Sequence, residues 1–425
     1  MKDEEGNELR TLTEDEAAII EMLKKNQITT APAPAQDNKA TMSANSHPFW
    51  DTQPMAAGST TQEGPIEPNK PCEELRQTPY TMPPGFEWSS LKVDDSSQIL
   101  ELYDLLANNY VEDDDAFFRF DYSQDFLRWA LTPPGYRDDF LLCVRAQKSG
   151  KLVAFISAVP ASVRVREAEP TPMVEINFLC VHKKLRSKRL APVLIKEITR
   201  RANISGVFQA AYTAGVVLPV PVGSARYNHR SLNPKKLVAV GFSRLAPRMT
   251  LARLQKLYKL PTETFTPTLR AMEKKDVPAV HKLLTKYLTK FALCISFTED
   301  EIAHWLLPRP KVINSYVVEG EGGVITDMCS FYHLPSSILG HNDTLYAAYS
   351  YYNVATSIPW TQLMKDCLIL AKNLGADVFN ALNLMENDEF LKELKFGHGD
   401  GNLQYYLYNW ACPAMKPNEL GIVLL

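Results

Sequence analysis

From Phe86 onward the apolar positions fall into short runs of helical and strand-like period. LKVDDSSQILELYDLLANNY, ending at Tyr110, reads as a short strand and then an amphipathic helix. SQDFLRWAL places Ser123, a capping-type residue, ahead of a second helix. FLLCVRAQKSGKLVAFISAVP reads as a hairpin with a glycine-containing turn, MVEINFLCV as a further strand and APVLIKEITRR as a helix. The plan then returns. TLRAMEKKDVPAVHKLLTKYL, TEDEIAHWLL, SYVVEGEGGVITDMCSFYHLP, LYAAYSYYNV and WTQLMKDCLILAKN repeat those elements in that order. Trp129 and Trp305 lie 176 residues apart, and Pro160 and Pro335 lie 175 apart. Two unrelated α/β stretches with a shared element order would not hold register that far. The expectation is an α/β chain (α+β layered) of two fused halves related by internal duplication. A hairpin leading to a central strand and then a helix is the plan of GNAT acyltransferases, an analogy of fold that carries no function alone.

The ends of the chain read differently. The first 84 residues hold ten of the 29 prolines. Thr13 and Glu16 form a capping-box pattern opening the helix-like run AAIIEMLKK. The stretch from Asn26 to about Gln77 should be flexible or lie along the surface, with residues 1–46 a mostly flexible extension. Phe49 and Trp50 stand out there and should dock onto the folded part or onto a ligand. KFGHGDGNLQYYLYNW reads as a hairpin turn around Asp400 before an aromatic strand, and the apolar end GIVLL as a tail tucked into a core.

Composition narrows the function classes. At 425 residues two domains are the natural division, and 45% hydrophobic with 22% charged residues is an ordinary globular balance. A net charge of -3 gives no global field for nucleic acid or an anionic membrane. The seven cysteines are scattered without C-x-x-C spacing, which argues against a disulfide framework and a zinc site. The polar start MKDEEGNELR lacks the pattern of a secretory signal or an Arg-rich transit peptide, and no apolar run reaches membrane-spanning length. The expectation is a cytoplasmic protein with no metal.

The chemistry concentrates between Glu175 and Arg201. A β-rich run leads into a basic loop (His182, Lys183, Lys184, Arg186, Lys188, Arg189) that opens onto a helix carrying Pro192 in its first turn. Cations beside a helix N-terminus suit phosphate groups, such as those of coenzyme A. A solvated charged face and a nuclear-import or RNA patch are the alternatives. The corresponding stretch of the second half, NVATSIPWTQ, carries no Lys or Arg, so the two halves differ in task. No nucleophile elbow, H-E-x-x-H, P-loop or G-x-G-x-x-G is present. Cys180 lies in an apolar strand and reads as a core residue, which favours direct transfer from a thioester to an amine. The acidic run VEDDD is either a solvated helix end or a wall for a basic peptide.

EINFLCVHK at Glu175–Lys183 and KFGHGDG at Lys395–Gly401 resemble the two signatures of the myristoyl-CoA:protein N-myristoyltransferase family, and the resemblance extends from about His47 to Leu425. It implies a glycylpeptide N-tetradecanoyltransferase that moves a C14 acyl group from myristoyl-CoA to an N-terminal glycine. The first half, 47–245, would bind acyl-CoA, and the second, 246–425, would supply most of the peptide site. The amides of Phe178 and Leu179 would form the oxyanion hole. His47, Pro48, Phe49, Trp50, Leu179, Cys180, Val181, Arg186, Ser187, Lys188, Arg189, Leu190 and Ala191 would hold the coenzyme. Pro48 stands where relatives tend to carry a polar or basic residue. The Leu425 carboxylate would be the general base, with Asn177 and Thr213 holding the glycine. Asp113, Asp115, Phe118, Tyr212, His229, Tyr349, Asn383 and Asp400 would line the peptide groove, the acidic ones favouring lysine-containing peptides. Monomeric behaviour without stable membrane insertion is expected, and the resemblance leaves open whether the extension tethers the enzyme to ribosomes. An ordinary acetyl-CoA-dependent N-acetyltransferase and a catalytically inactive binding protein are the competing readings.

Overall fold

The computed structural model describes residues 48–56, 60–110, 118–339 and 343–425. The expected 1–46 extension, the Thr13–Glu16 capping box, His47, Asp113 and Asp115 lie outside the described residues. The first half contributes strands β1 (Phe86–Ser90), β2 (Phe118–Phe120), β3 (Leu141–Ala146), β4 (Leu152–Val165), β5 (Thr171–Val181), β6 (Gln209–Ala214) and β7 (Gly223–Ser231). The second contributes β8 (Leu269–Ala271), β9 (Leu293–Ile295), β10 (Ile313–Glu319), β11 (Ile325–His333), β12 (Ser336–Ile338), β13 (Thr344–Leu345), β14 (Ala347–Ser350), β15 (Val378–Leu382), β16 (Gly397–Tyr408) and β17 (Leu420–Gly421).

Both anticipated hairpins form, β3–β4 around Gly150 and β10–β11 around Gly322, each with its glycine at φ +68°. Only glycine reaches that region without steric cost. Helices Ser96–Asn109, Gln124–Leu131, Val277–Leu288 and Glu299–Leu306 follow in equivalent places, with Ser123 and Thr298 accepting N-terminal amides as caps. A parallel pair closes each half. Helix Leu190–Ile204 joins β5 to β6, and Trp360–Asn373 joins β14 to β15.

The halves share one sheet in the order β1-β3-β4-β5-β6-β16-β7-β15-β14-β11-β10-β8. The order is nearly palindromic with an exchange at its centre: β16 of the second half pairs with β6, and β7 of the first pairs with β15. The repeat tryptophans meet across this junction. Trp129 and Trp305 pack edge to face at 5.2 Å, Trp129 Nε1 donates to the His304 carbonyl at 3.0 Å, and His304 Nε2 bonds the Trp129 carbonyl at 2.7 Å. Helix Leu190–Ile204 covers one face of the first half, while the opposite face of β5 belongs to the large core shared with the second half.

Two local expectations are corrected. The segment around Asp400 is no hairpin. It is a stretch within β16 where the register with β7 jumps between His398 and Asn402, an irregularity that bends the strand without reversing it. The basic segment is no open loop. Lys183–Lys188 winds as a 3-10 helix, Arg189 follows in the left-handed region, and Pro192 falls at the third position of the helix begun by Leu190.

Candidate active site

The centre of the site is a flaw in β5. Its ladder with β4 pairs Cys180 with Phe155 and then Asn177 with Ser157, so Phe178 and Leu179 together face one residue. Phe178 adopts φ +54°, unusual for an aromatic residue and the mark of a bulge held by its surroundings. Its ring is buried and packs at 5.2 Å against Tyr122 and at 6.0 Å against Tyr110. On the other side β5 and β6 pair only as far as Ile176 and Tyr212. The next residues on each strand, Asn177 and Thr213, therefore stand where the two strands part.

Asn177 gathers the contacts. Its Oδ1 accepts the Phe178 amide at 2.7 Å and the Tyr110 hydroxyl at 3.4 Å, and its carbonyl accepts from Ser157 Oγ at 3.0 Å. Its Nδ2 donates to the Leu425 carbonyl oxygen. The tail reaches this point because β17 adds in parallel to β9, after which Ile422, Val423 and Leu424 are buried and the Val423 amide donates to the Tyr352 hydroxyl at 3.1 Å. The expected burial of GIVLL holds.

On one flank, the 3-10 turn Lys183–Lys188 is tied to helix Ser96–Asn109 through Asn109, whose Oδ1 accepts the Lys183 amide at 2.9 Å and whose carbonyl accepts from Arg186. Arg186, Ser187 and Arg189 are exposed at the start of helix Leu190–Ile204, which has no side-chain cap. Leu190 is buried and Ala191 half-buried in the first turn. Uncapped amides, the helix dipole and neighbouring cations together favour an anion there. Cys180 and Val181 are buried in β5, and burial pushes the Cys180 thiol up to about 12, so it carries no thiolate at neutral pH. Phe49 and Trp50 dock as expected. Trp50 stacks at 5.9 Å on Tyr212, which stacks at 4.9 Å on Tyr406, while Pro48 beside them is exposed. Gln53 and Pro54 tie this strap to Tyr408 and Asn409 of β16 and its end.

On the other flank His229 Nδ1 bonds Asn380 Oδ1 at 2.6 Å, and its ring lies edge-on to Phe242, as does that of Phe118. Burial lowers its pKa, partly offset by the bond to Asn380 and the charge of Asp400. Tyr349 stacks at 5.2 Å on Tyr332 and packs against Phe120. Asn383 exchanges two bonds with the Arg226 backbone, and Asp400 is exposed on the irregular stretch of β16. Tyr110, Tyr227 and Tyr349 are half-buried, and burial raises the pKa of each hydroxyl. Among the described residues no cluster of His, Cys, Asp or Glu is arranged to hold a metal ion, and no helix is long and apolar enough to cross a membrane.

Sequence reasoning missed Tyr110, Ser157, Asn109 and Tyr352, all ordinary polar residues of helices and strands that gain meaning only from their partners. Glu175 was missed as well, although a carboxylate inside the apolar run MVEINFLCV is a visible anomaly.

Comparison with known proteins converges. The N-terminal domain of the myristoyl-CoA:protein N-myristoyltransferase family matches residues 65–225 and its C-terminal domain matches residues 239–423. A relative from Arabidopsis thaliana named glycylpeptide N-tetradecanoyltransferase 1 is 58% identical over 391 residues, covering 90% of each chain. The glycylpeptide N-tetradecanoyltransferase of Drosophila melanogaster is 52% identical over 415 residues, 97% of this chain and 88% of its own length. Among solved structures, the Saccharomyces cerevisiae N-myristoyltransferase with bound myristoyl-CoA superposes with a TM-score of 0.86 at 41% identity, covering 89% of this chain and 99% of that one.

Proposed function

The chain belongs to the myristoyl-CoA:protein N-myristoyltransferase family, and from that premise we propose that it is an enzyme moving the tetradecanoyl group of myristoyl-CoA to the amine of an N-terminal glycine. The observation that carries the reading is the meeting of the β5 bulge, Asn177 and the chain end at one point, where β5 and β6 part.

The thioester carbonyl lies at the bulge, and the amides of Phe178 and Leu179 receive its oxygen as it becomes an oxyanion. The Phe178 amide donates to Asn177 Oδ1, so taking the oxyanion requires Asn177 to release it. Asn177 and Thr213 hold the glycine nitrogen. An α-ammonium of pKa about 7.7–8.0 must first lose a proton, and the Leu425 carboxylate takes it. Attack then forms the C–N bond of the amide and breaks the C–S bond, and the second proton the nitrogen sheds on becoming an amide passes to the leaving thiolate to free coenzyme A. Glycine is required because the absence of a Cβ lets the amine approach the carbon in a confined channel.

Acyl-CoA falls to the first half, 47–245, with its phosphates at Arg186–Ala191 and the Phe49–Trp50 strap over it. The peptide falls largely to the second half, 246–425, where Tyr349, Asn383 and Asp400 are joined by Phe118, Tyr212 and His229 of the first. Asp400 favours lysine near the N-terminus of the peptide.

The test is coenzyme A release from myristoyl-CoA with peptides beginning Gly or Ala, with acetyl-CoA as a second donor, on the parent chain and on one extended by a residue past Leu425. Turnover of myristoyl-CoA with the Gly peptide alone, lost on extension, is expected. Full activity on extension would remove the terminal carboxylate as base, and preference for acetyl-CoA would overturn the substrate assignment.

A further inference from the structure

Glu175 is a carboxylate near the site that this chemistry leaves without a task. It lies two residues before Asn177, opposite Val159 of β4 and Ala211 of β6. Met173, on the same face of β5, belongs to the core shared by the halves, whereas Val174 and Ile176 pack toward helix Leu190–Ile204. The Glu175 carboxyl therefore points with Asn177 into the junction. Glu175 is half-buried and forms no hydrogen bond to another described residue.

The titratable groups around it come from the second half: Glu301 of helix Glu299–Leu306, and Tyr351 and Tyr352 beyond β14. Val159 and Ala211 on the flanking strands carry no charge. Tyr352 is the connection. Its oxygen accepts the buried Val423 amide, which leaves its own hydroxyl proton to be donated elsewhere in the same enclosure.

Two residues of β5, spaced i and i+2, thus face two residues of the tail with the same spacing. Asn177 holds Leu425 directly, and Glu175 lies within electrostatic reach of Tyr352, which holds Val423. We propose that Glu175 is a positioning residue that fixes the tail through Tyr352 and so aims the terminal carboxylate at the substrate amine. The proposal rests on the reading of Leu425 as the base.

Burial, and after it the charge of Glu301, pushes the Glu175 carboxyl up to about 8. At neutral pH it is a neutral acid able to serve both donor and acceptor. Above pH 8 it becomes an anion beside Glu301 and loses the proton it can offer toward Tyr352, which loosens the hold on the tail.

The test compares kcat of the full-length parent and E175Q with saturating Gly peptide and myristoyl-CoA, from pH 6.5 to 9.5. Titration of the substrate amine is common to both and cancels in their ratio. The ratio of E175Q to parent is expected to climb up to about tenfold by pH 9, since a group of pKa about 8 is then one-tenth protonated. Y352F leaves the Val423 amide unpaired and should lower kcat roughly tenfold in its own right. In that background the pH dependence of the E175Q ratio should vanish. A flat or falling ratio, or a rise that survives Y352F, overturns the proposal. Should E175Q fold poorly, an undiminished kcat in Y352F overturns it alone. The chain extended past Leu425 separates the two ideas. Loss of turnover on extension with a flat ratio removes only Glu175, whereas tolerance of extension removes the base reading and this proposal with it.

Discussion

Gly399 is where a single methyl group should perturb the peptide side of the site. Its position within the irregular stretch of β16 sets it against β7, and a Cβ there would collide with His229 Nε2, lie 2.9 Å from His229 Cδ2 and 3.0 Å from the Tyr227 carbonyl oxygen. The ring cannot simply swing aside, because Nδ1 is bonded to Asn380 at 2.6 Å and the ring lies edge-on to Phe242. Gly399→Ala must therefore break the His229–Asn380 bond or push β16 off β7. Overpacking of this kind costs about 1–3 kcal/mol, and leaving a buried hydrogen-bond partner unmatched costs a further ~1–3 kcal/mol. A loss of roughly 2–6 kcal/mol is expected from denaturant midpoints. His229→Ala removes the obstructing ring, so the double variant should lose less than the two single losses combined, by about 1–3 kcal/mol. The rescue stays partial because the Tyr227 carbonyl remains. Steady-state kinetics should show a raised peptide KM with the acyl-CoA KM little moved. A Gly399→Ala variant within about 0.5 kcal/mol of the parent, or additive single losses, would refute the reasoning.

Other expectations follow from the same structure. The Glu175 carboxyl has a folded pKa of about 8 against an ordinary 4.5, so the folded state binds the extra proton and stability falls as pH rises between those values. E175Q should match the parent at pH 4 and exceed it by up to about 3 kcal/mol near pH 7, measured as unfolding midpoints across that range. Glu197 is fully buried and accepts the Tyr80 amide, and although burial opposes its ionisation, the hydrogen bonds from Arg200 and Arg201 hold its pKa below the usual value. E197A leaves two guanidinium groups without their partner and should cost about 3–5 kcal/mol by denaturant unfolding. N177D removes the Nδ2 donor to Leu425 and sets a second carboxylate beside the first. A fall in kcat of roughly 10–100-fold is expected with acyl-CoA binding preserved, as read by titration of myristoyl-CoA.

Much of this protein was legible in its residues. Apolar periodicity marked the hairpins and helices, Ser123 and Thr298 announced their helix starts, and the 176-residue offset of Trp129 and Trp305 revealed the repeat. These features are set by neighbours a few positions apart, which is the range over which side-chain pattern and backbone preference act. The signature EINFLCVHK likewise carries its phosphate-suited basic segment on its own face. What the chain alone did not determine was every relation between distant segments. The exchange of β7 and β16 across the centre of the sheet depends on which edge each strand finds, and two antiparallel neighbours satisfy the backbone equally from either half. The glycines near Asp400 permit either a reversal or a bulge, and the available partner β7 selected the bulge. Asn177 and Leu425, 248 positions apart, meet only because β17 finds β9 and buries the tail. The sequence by itself therefore determined the elements and the chemistry they carry. Tertiary packing alone decided which of those groups stand within reach of one another, because long-range contacts are chosen by burial and pairing of the whole sheet rather than by any local stretch.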